Sequence, residues 1–530
     1  MEKRLLIAVA LSIIVMLVYP FFMAKINPPA QTRPDHTISY SEPIETQEVI
    51  NKYTKNTHKE IKKTSLPPGS FSRVFANDRY GVNISNIGGG IQKITIKDGK
   101  RLDIDIVDDA IYESGILSME GKGVLAGLSS QPFAINRETR SVYAETNGLK
   151  IEKYVSFLED HYALEASIKI TNNSGLAQHL SFEITTASRI SNKEIYESRY
   201  IGADVLYKDG SLKRIASGNF KQYKRLYKDN IEWLALKNKY YSIIAKPDFI
   251  PSGVFTKSID SAPVIGFIID DERLLPGETK TYDFLFYIGP TEGNELTKVG
   301  KSFGKALNFG FFTSISLVLL SVLKFFYSIS HNYGVAILLL TCCISLLLYP
   351  LSFKSLKSMR KLQELQPHIE KVRSQHKDNP HKLNKEIMEI YRRYNVNPMG
   401  GCMPMLLQMP IFISLYQTLM RSVELKGATF LWIKDLSMPD AAFHLPTSLP
   451  FLGNTINLLP ILMIGAMIIQ QKMSQAKTSA AQTEQQKMMT SVMPIVFGFI
   501  FYSLPSGLVL YWLTNTLMTS ALQFFSLRKA

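Results

Sequence analysis

Cysteine is nearly absent: Cys342, Cys343 and Cys402 are the only three in 530 residues. All lie in or beside apolar stretches, so neither a disulfide framework nor a zinc-ligand spacing can be drawn. They read as small core residues. Catalytic patterns are missing as well. The histidines have no H-E-x-x-H or nucleophile-elbow context, no ATP motif is present, and nothing asks for a cofactor. The chain is therefore not expected to be an enzyme. Asp, Glu, Lys and His are absent from the interiors of the apolar runs after residue 331. Proton- or ion-coupled transport normally needs ionisable groups at membrane depth, and often an internal repeat. Neither is found, which disfavours a small-solute transporter.

What is present is a basic chain, net charge +15, with its hydrophobicity unevenly spread. The middle is polar and rich in Thr, Ile and Tyr; the C-terminal third is apolar and rich in Met. That asymmetry argues for a soluble domain joined to a membrane domain. Lys and Arg fall where a positive-inside bias would put them, so specific nucleic-acid binding is not expected.

Residues 1–25 begin Met1-Glu2-Lys3-Arg4 and continue apolar from Leu5 to Met23. This is close to bilayer length and lacks a good cleavage site, so it reads as an uncleaved signal anchor with its N-terminus in the cytoplasm; a cleaved signal peptide is the alternative. Residues 26–65, rich in Pro, Thr, Lys and Glu, read as a flexible linker. Over 66–305 the pattern becomes period two. Strands are expected at 80–85, 91–96, 150–157, 162–171, 179–187, 241–246, 263–270 and 280–288. Turn signals such as Gly88-Gly89-Gly90 and Asn172-Asn173-Ser174-Gly175 separate some of them. An antiparallel β-sandwich outside the cytoplasmic membrane follows. Over 306–330, Ile315, Leu319, Val322 and Phe326 share one helical stripe, with Lys324 and Ser316 elsewhere. An amphipathic interfacial helix fits, and an extra span is the alternative.

Five spans are expected in 331–530: 333–351, 402–420, 456–470, 493–504 and 508–525. Several are short for a bilayer, which suggests a thinned membrane or a recessed polar cavity. The loop 352–399 carries Arg360, Lys361, Arg373, Arg392 and Arg393 among its cations, whereas the loop 421–455 balances three cations with Glu424, Asp435 and Asp440. Six spans with both termini in the cytoplasm fit. Inside 352–399, Leu362, Leu365, Ile369 and Val372, then Leu383, Ile387, Ile390 and Tyr394, step by three and four around Asp378-Asn379-Pro380. That is an antiparallel helical hairpin with one apolar seam. Its basic faces are either merely solvated or contact anionic lipid, a ribosome or a targeting factor.

The spans hold neutral polarity instead of charge: Thr341 and Ser345 on one face of the second span, Gln408, Ser414, Gln417 and Thr418 on the third, and Thr514, Asn515, Thr516, Thr519, Ser520 and Gln523 on the sixth, with Tyr511 and Trp512 above. Interhelical hydrogen bonding is one reading; their concentration on three spans favours a water-filled recess open to the cytoplasm. Pro404, Pro410, Pro460 and Pro494 each free a carbonyl, the last two near expected span starts. Met403, Met405, Met409, Met463, Met467, Met488, Met489 and Met493 form a soft surface, either lipid-facing filler or a slide for varied hydrophobic clients.

Two strings, Asn397-Pro398-Met399-Gly400-Gly401-Cys402-Met403-Pro404 through Gln408-Met409-Pro410, and Leu504-Pro505-Ser506-Gly507-Leu508-Val509-Leu510-Tyr511-Trp512, resemble the signature of the YidC / oxidase-assembly family of membrane protein insertases. Leu348-Tyr349-Pro350-Leu351, Ser422-Val423-Glu424-Leu425 and Phe430-Leu431-Trp432-Ile433 resemble family patterns in the right order, and Ile151-Glu152-Lys153-Tyr154 resembles a marker in the β-domain. The resemblance implies a polytopic α-helical protein of the bacterial inner membrane. Its large periplasmic domain would be of the Gram-negative type, a super-sandwich similar to sugar-mutarotase domains. It implies insertion of nascent membrane proteins through a hydrophilic groove, alone or with a Sec-type translocon. Thr341, Gln408, Tyr511 and Trp512 map to groove or client-contact positions. Ser345 stands where the family usually carries an arginine, so this chain is expected to work without a buried groove cation. An assembly chaperone without insertion activity of its own stays open.

Overall fold

The computed structural model describes residues 70–97, 104–107, 115–136, 138–159, 161–191, 200–221, 223–226, 230–376, 379–396, 403–449, 453–475 and 484–528. The expected signal anchor and linker lie outside these residues. The chain divides into two compact units, one ending at Ala306 and one beginning at Leu307.

The first unit is built from antiparallel sheets. A nine-stranded sheet runs in the spatial order Leu212–Ala216, Gly202–Tyr207, Ile231–Lys237, Tyr241–Pro247, Thr279–Pro290, Ala163–Asn172, Leu149–Phe157, Ser141–Thr146 and Ala134–Asn136. A five-stranded sheet, centred on the pairing of Gln178–Ser188 with Ala262–Leu274, lies against it. Phe267 of the smaller sheet stacks on Phe284 of the larger, centroids 6.1 Å apart. A four-stranded meander over 72–107 completes the unit, and the Tyr80 hydroxyl donates to the Ile288 carbonyl at 2.7 Å. Each strand expected from alternation is present, within a few residues at its ends.

One inward position breaks the apolar rule. Along Leu149–Phe157, Leu149, Ile151, Lys153 and Val155 face the core, and Lys153 is 2% exposed. Its Nζ donates to the carbonyls of Gly88 (2.6 Å) and Leu117 (2.8 Å) and lies 4.6 Å from the centre of the Phe133 ring. Burial pushes the lysine down to about 7. Gly88 itself sits at φ +69°, where a side chain would be strained and would strike the Ser129 carbonyl. A second buried charge, Asp204, pairs with Lys237 and Arg214. Burial alone would push the Asp204 carboxyl up, but the two cations outweigh it and hold it below the usual range.

The first unit ends with helix α1 (Gly293–Val299). The second is helical: α2 (Thr313–Ser330), α3 (Tyr333–Glu364), α4 (Gln366–Gln375), α5 (Pro380–Arg393), α6 (Met403–Arg421), α7 (Leu458–Gln475), α8 (Glu484–Phe501) and α9 (Ser506–Arg528). By length and composition α2 and the 333–362 part of α3 could each cross a membrane; Leu458–Met473 and Val492–Phe501 are shorter apolar segments. A shared core joins Leu323, Ala336, Ile337, Leu340, Leu415, Leu419, Met463, Leu508, Val509 and Tyr511.

Several expectations change in detail. The stripe on α2 is rotated: Ser316, Leu319, Leu320 and Leu323 are buried while Ile315 is exposed, because the Ser316 hydroxyl finds the Ser414 carbonyl of α6 at 3.0 Å. Lys324, off the expected stripe, pairs with Glu424 at 2.7 Å. The helix of the second span does not stop at Leu351: α3 runs 32 residues through Pro350 and carries Leu362 of the first hairpin arm, while Ile369 and Val372 lie on α4. Proline removes one donor, and the ladder on either side carries the helix past it. In the hairpin seam, Leu365, Ile369 and Val396 pack with Leu362, Ile387, Ile390 and Tyr391, whereas Tyr394 is exposed and stacks on His368. Met463 is fully buried rather than part of a surface; Pro494 lies inside α8, which begins ahead of the expected span, and near the start of its apolar stretch Val492–Phe501. The loop after α6 holds a strand pair, Phe443–Leu449 with Gly453–Ile456, that alternation did not reveal.

Candidate functional site

The neutral polar residues come from α3, α6 and α9. On α3, Thr341 is fully buried and its hydroxyl donates to Ile337 one turn back, at 2.6 Å. One turn further, the Ser345 hydroxyl donates to the Asn515 side-chain carbonyl of α9 at 3.4 Å. On α6, the Gln408 amide donates to the Tyr511 hydroxyl of α9. The Trp512 ring is enclosed by Phe412, Phe497 and Phe501, with centroids 4.9, 5.7 and 5.2 Å away. Gln417 is half-buried on α6 and its side chain makes no hydrogen bond among the described residues. The structure thus brings together Ser345 with Asn515 and Gln408 with Tyr511. Thr341 and Gln417 stand apart from both pairs.

Most hydroxyls of the bundle turn inward on their own helices. Ser414 donates to Pro410, Thr514 to Leu510, Thr519 to Asn515 and Ser520 to Thr516, each to the carbonyl four residues back. A hydroxyl satisfied this way is compatible with an apolar surrounding and ties no second helix. Thr418 does both, reaching Ser414 of its own helix and Ser316 of α2.

At one end of the bundle the loop after α6 is stitched to three helix starts. Asn332 accepts from the Gly334 and Val335 amides at the start of α3 and donates to the Thr429 carbonyl. Asp440, 4% exposed, accepts through Oδ2 from the Leu458 and Leu459 amides at the start of α7 (2.8 and 2.9 Å) and from the Trp432 ring N–H (3.1 Å). The free amides of a helix start and the field they create favour a carboxylate there. Ser506 and Gly507 give their amides to the Met438 and Leu436 carbonyls at the start of α9. Sequence reasoning missed Asp440, because its α7 partners lie 18 and 19 residues downstream and no local cap pattern announces them. At the hairpin, Lys361, Arg373, Arg392 and Arg393 are exposed, whereas Arg360 is half-buried on α3.

An apolar helical bundle with an uncharged polar interior, carried on one chain with a large β-sandwich, defines a helical membrane protein with a substantial extramembranous domain. The chain belongs to the YidC family of membrane protein insertases. Residues 325–530 match the family described as 60Kd inner membrane protein, and 135–322 match the YidC periplasmic domain. The membrane protein insertase YidC of Pelobacter propionicus is 32% identical, the match covering 99% of each chain. That of Geobacter sulfurreducens is 30% identical over 99% of this chain and 98% of its own. A crystal structure of an active YidC insertase with its first transmembrane domain resolved covers 86% of this chain and 92% of that one, at 19% identity and a TM-score of 0.38.

Proposed function

We propose that this membrane protein insertase moves nascent membrane proteins from the cytoplasm into the bacterial inner membrane along a neutral polar seam formed by α3, α6 and α9. The observation that carries this reading is the pairing of Ser345 with Asn515 and of Gln408 with Tyr511 across those helices, with no Asp, Glu, Lys, Arg or His on α3 between Tyr333 and Leu351. Carrying a client's charge through hydrocarbon costs roughly 2.5–3.5 kcal/mol at the centre. A seam of uncharged donors and acceptors lowers that cost for tails of either sign. The apolar stretch of α8, ten residues or about 15 Å, falls well short of a core of about 30 Å and favours a thinned bilayer beside the seam. Client hydrophobicity and the membrane potential supply the drive.

Six spans, both termini cytoplasmic, and the β-domain in the periplasm agree with the Lys and Arg distribution. The contacts of α2 with α6 support an interfacial α2: Ser316 meets Ser414 and Thr418, Arg421 reaches the Asn308 carbonyl, and Lys324 meets Glu424. All of these fall on the last turns of α6 and the loop after it, where a spanning helix would run along its whole length. The basic hairpin suits anionic lipid, a ribosome or a targeting factor, and a Sec-type translocon is a further partner. No catalysis or cofactor is assigned.

The test is reconstitution of the pure protein in liposomes with a short single-span client. Client protected from external protease, and unprotected when residues 400–525 are removed, supports insertion. Client bound but fully digested points to an assembly chaperone, and solute flux to a transporter.

A further inference from the structure

We propose that Arg360 is an anion-binding residue at the cytoplasmic mouth of the bundle and that it takes a carboxylate of the incoming client; this rests on the insertase reading. The Arg360 Nη2 is enclosed and has no hydrogen-bond partner among the described residues. Glu364, one turn on, is exposed and makes no ion pair with it among those residues. A guanidinium keeps its charge at any pH the cell meets, so an enclosed, unanswered N–H is a standing demand for an anion. The other hairpin cations make no such demand: Lys361, Arg373, Arg392 and Arg393 are exposed to solvent.

Position selects the ligand. Because α3 is continuous, Arg360 lies fifteen residues from Ser345, about 22 Å along the axis and only about 60° around it. It occupies nearly the same side of the helix as the Ser345–Asn515 contact. It also lies nine residues beyond Leu351, about 13 Å past the end of the apolar run. The headgroup layer is roughly 5–8 Å deep on each side. Lys354, about 4–5 Å past that end, stands at the phosphates; Arg360 stands beyond them, where a ligand arrives from the cytoplasm. A carboxylate matches the planar fork with two parallel hydrogen bonds. Lys354 and Lys357, between it and the apolar run, are exposed, and α3 carries no cation from Tyr333 to Leu351, so Arg360 is the enclosed positive group that an acidic client tail meets on this helix.

The experiment uses the full chain in vesicles of neutral phosphatidylcholine, with two forms of a single-span client whose tails differ only by aspartates or asparagines. Arg360→Gln should lower insertion of the aspartate form roughly tenfold and leave the asparagine form within about twofold. Arg360→Lys should restore part of the loss, and Lys385→Gln, at an exposed position on α5, should leave the ratio of the two clients unchanged. Equal loss of both clients in Arg360→Gln makes the residue structural and overturns the proposal. So does a selective loss that appears only when anionic lipid is added, which assigns the site to a lipid phosphate. Wild-type protein that inserts neither client defeats the insertase reading itself.

Discussion

Replacing Lys153 with Met should make the β-domain's stability respond differently to pH. In the folded protein burial lowers the lysine from 10.5 to about 7. The gap corresponds to about 5 kcal/mol, at 1.36 kcal/mol per unit. The sign follows from where the proton sits. Below pH 7 both folded and unfolded chains keep it, and the full cost of burying the charge is present without a slope. Between pH 7 and 10.5 the folded lysine is neutral while the unfolded one is still charged. The unfolded state then binds more protons, and stability rises with pH by up to about 1.4 kcal/mol per unit. The neutral amine suits its cage, having two N–H donors for the carbonyls of Gly88 and Leu117.

Lys153→Met removes the titration but strands those two carbonyls, at about 1–3 kcal/mol each. Near pH 6 the two effects roughly cancel. At pH 10 the lysine's own cost has fallen to about 0.7 kcal/mol, and the variant should be less stable by about 1–5 kcal/mol. The assay is urea unfolding in detergent at several pH values, read by the buried Trp233 in a background where Trp432 and Trp512 are Phe. Taking the difference between variant and parent cancels every other titrating group. A difference that stays flat from pH 7 to 10 would refute the reasoning. It would mean that the carbonyls and the Phe133 face hold the ammonium as well as water does.

Gly334→Ala should lower the thermal midpoint of the helical unit, because a methyl there overlaps the Phe430 ring; overpacking of this kind costs about 1–3 kcal/mol, and Phe430→Leu should recover part of it. Asp204→Asn should destabilise the β-domain by about 3 kcal/mol by leaving Lys237 and Arg214 without their carboxylate, read by the same urea titration. With its carboxyl held below the usual range, the parent keeps that stability above pH 4 and loses it as pH falls further; the variant should lack this acid-side slope. Ser345→Ala should leave insertion nearly intact, since Asn515 loses one long hydrogen bond, whereas Ser345→Asp should slow acidic-tailed clients selectively. Loss of all insertion in Ser345→Ala would contradict a distributed neutral seam.

Legibility in the sequence followed from whether an element's partners were local. Strands with one buried face, such as Leu149–Phe157 and Ala163–Asn172, alternate and could be placed to within a residue or two. Gly202–Tyr207 and Ile231–Lys237 bury nearly every residue, so both faces read apolar and period two vanishes. Lys153 shows the opposite failure: its charge points outward by residue type and its register points inward. The register wins because carbonyls 65 and 36 residues away converge on it. Ser316 likewise reads as polar surface and sits in the core, since its acceptor is 98 residues distant.

The same distinction bears on the seam. Which residue types it contains was plain from the chain, but how tightly they hold was not. Hydroxyls bonded within their own helix, as at Thr341, Thr514, Thr519 and Ser520, pay their desolvation locally and do not tie one helix to another. The polar tie between α3 and α9 at this depth, Ser345 to Asn515, spans 3.4 Å, at the weak end of hydrogen-bond geometry. Membrane-interior hydrogen bonds average only about 0.6 kcal/mol in measured cycles, so separating these two groups costs little on the scale of a single buried charge. A client backbone entering there can offer the same donors and acceptors in exchange. On the proposed seam reading, parting α3 from α9 at this point breaks one long hydrogen bond rather than an ion pair.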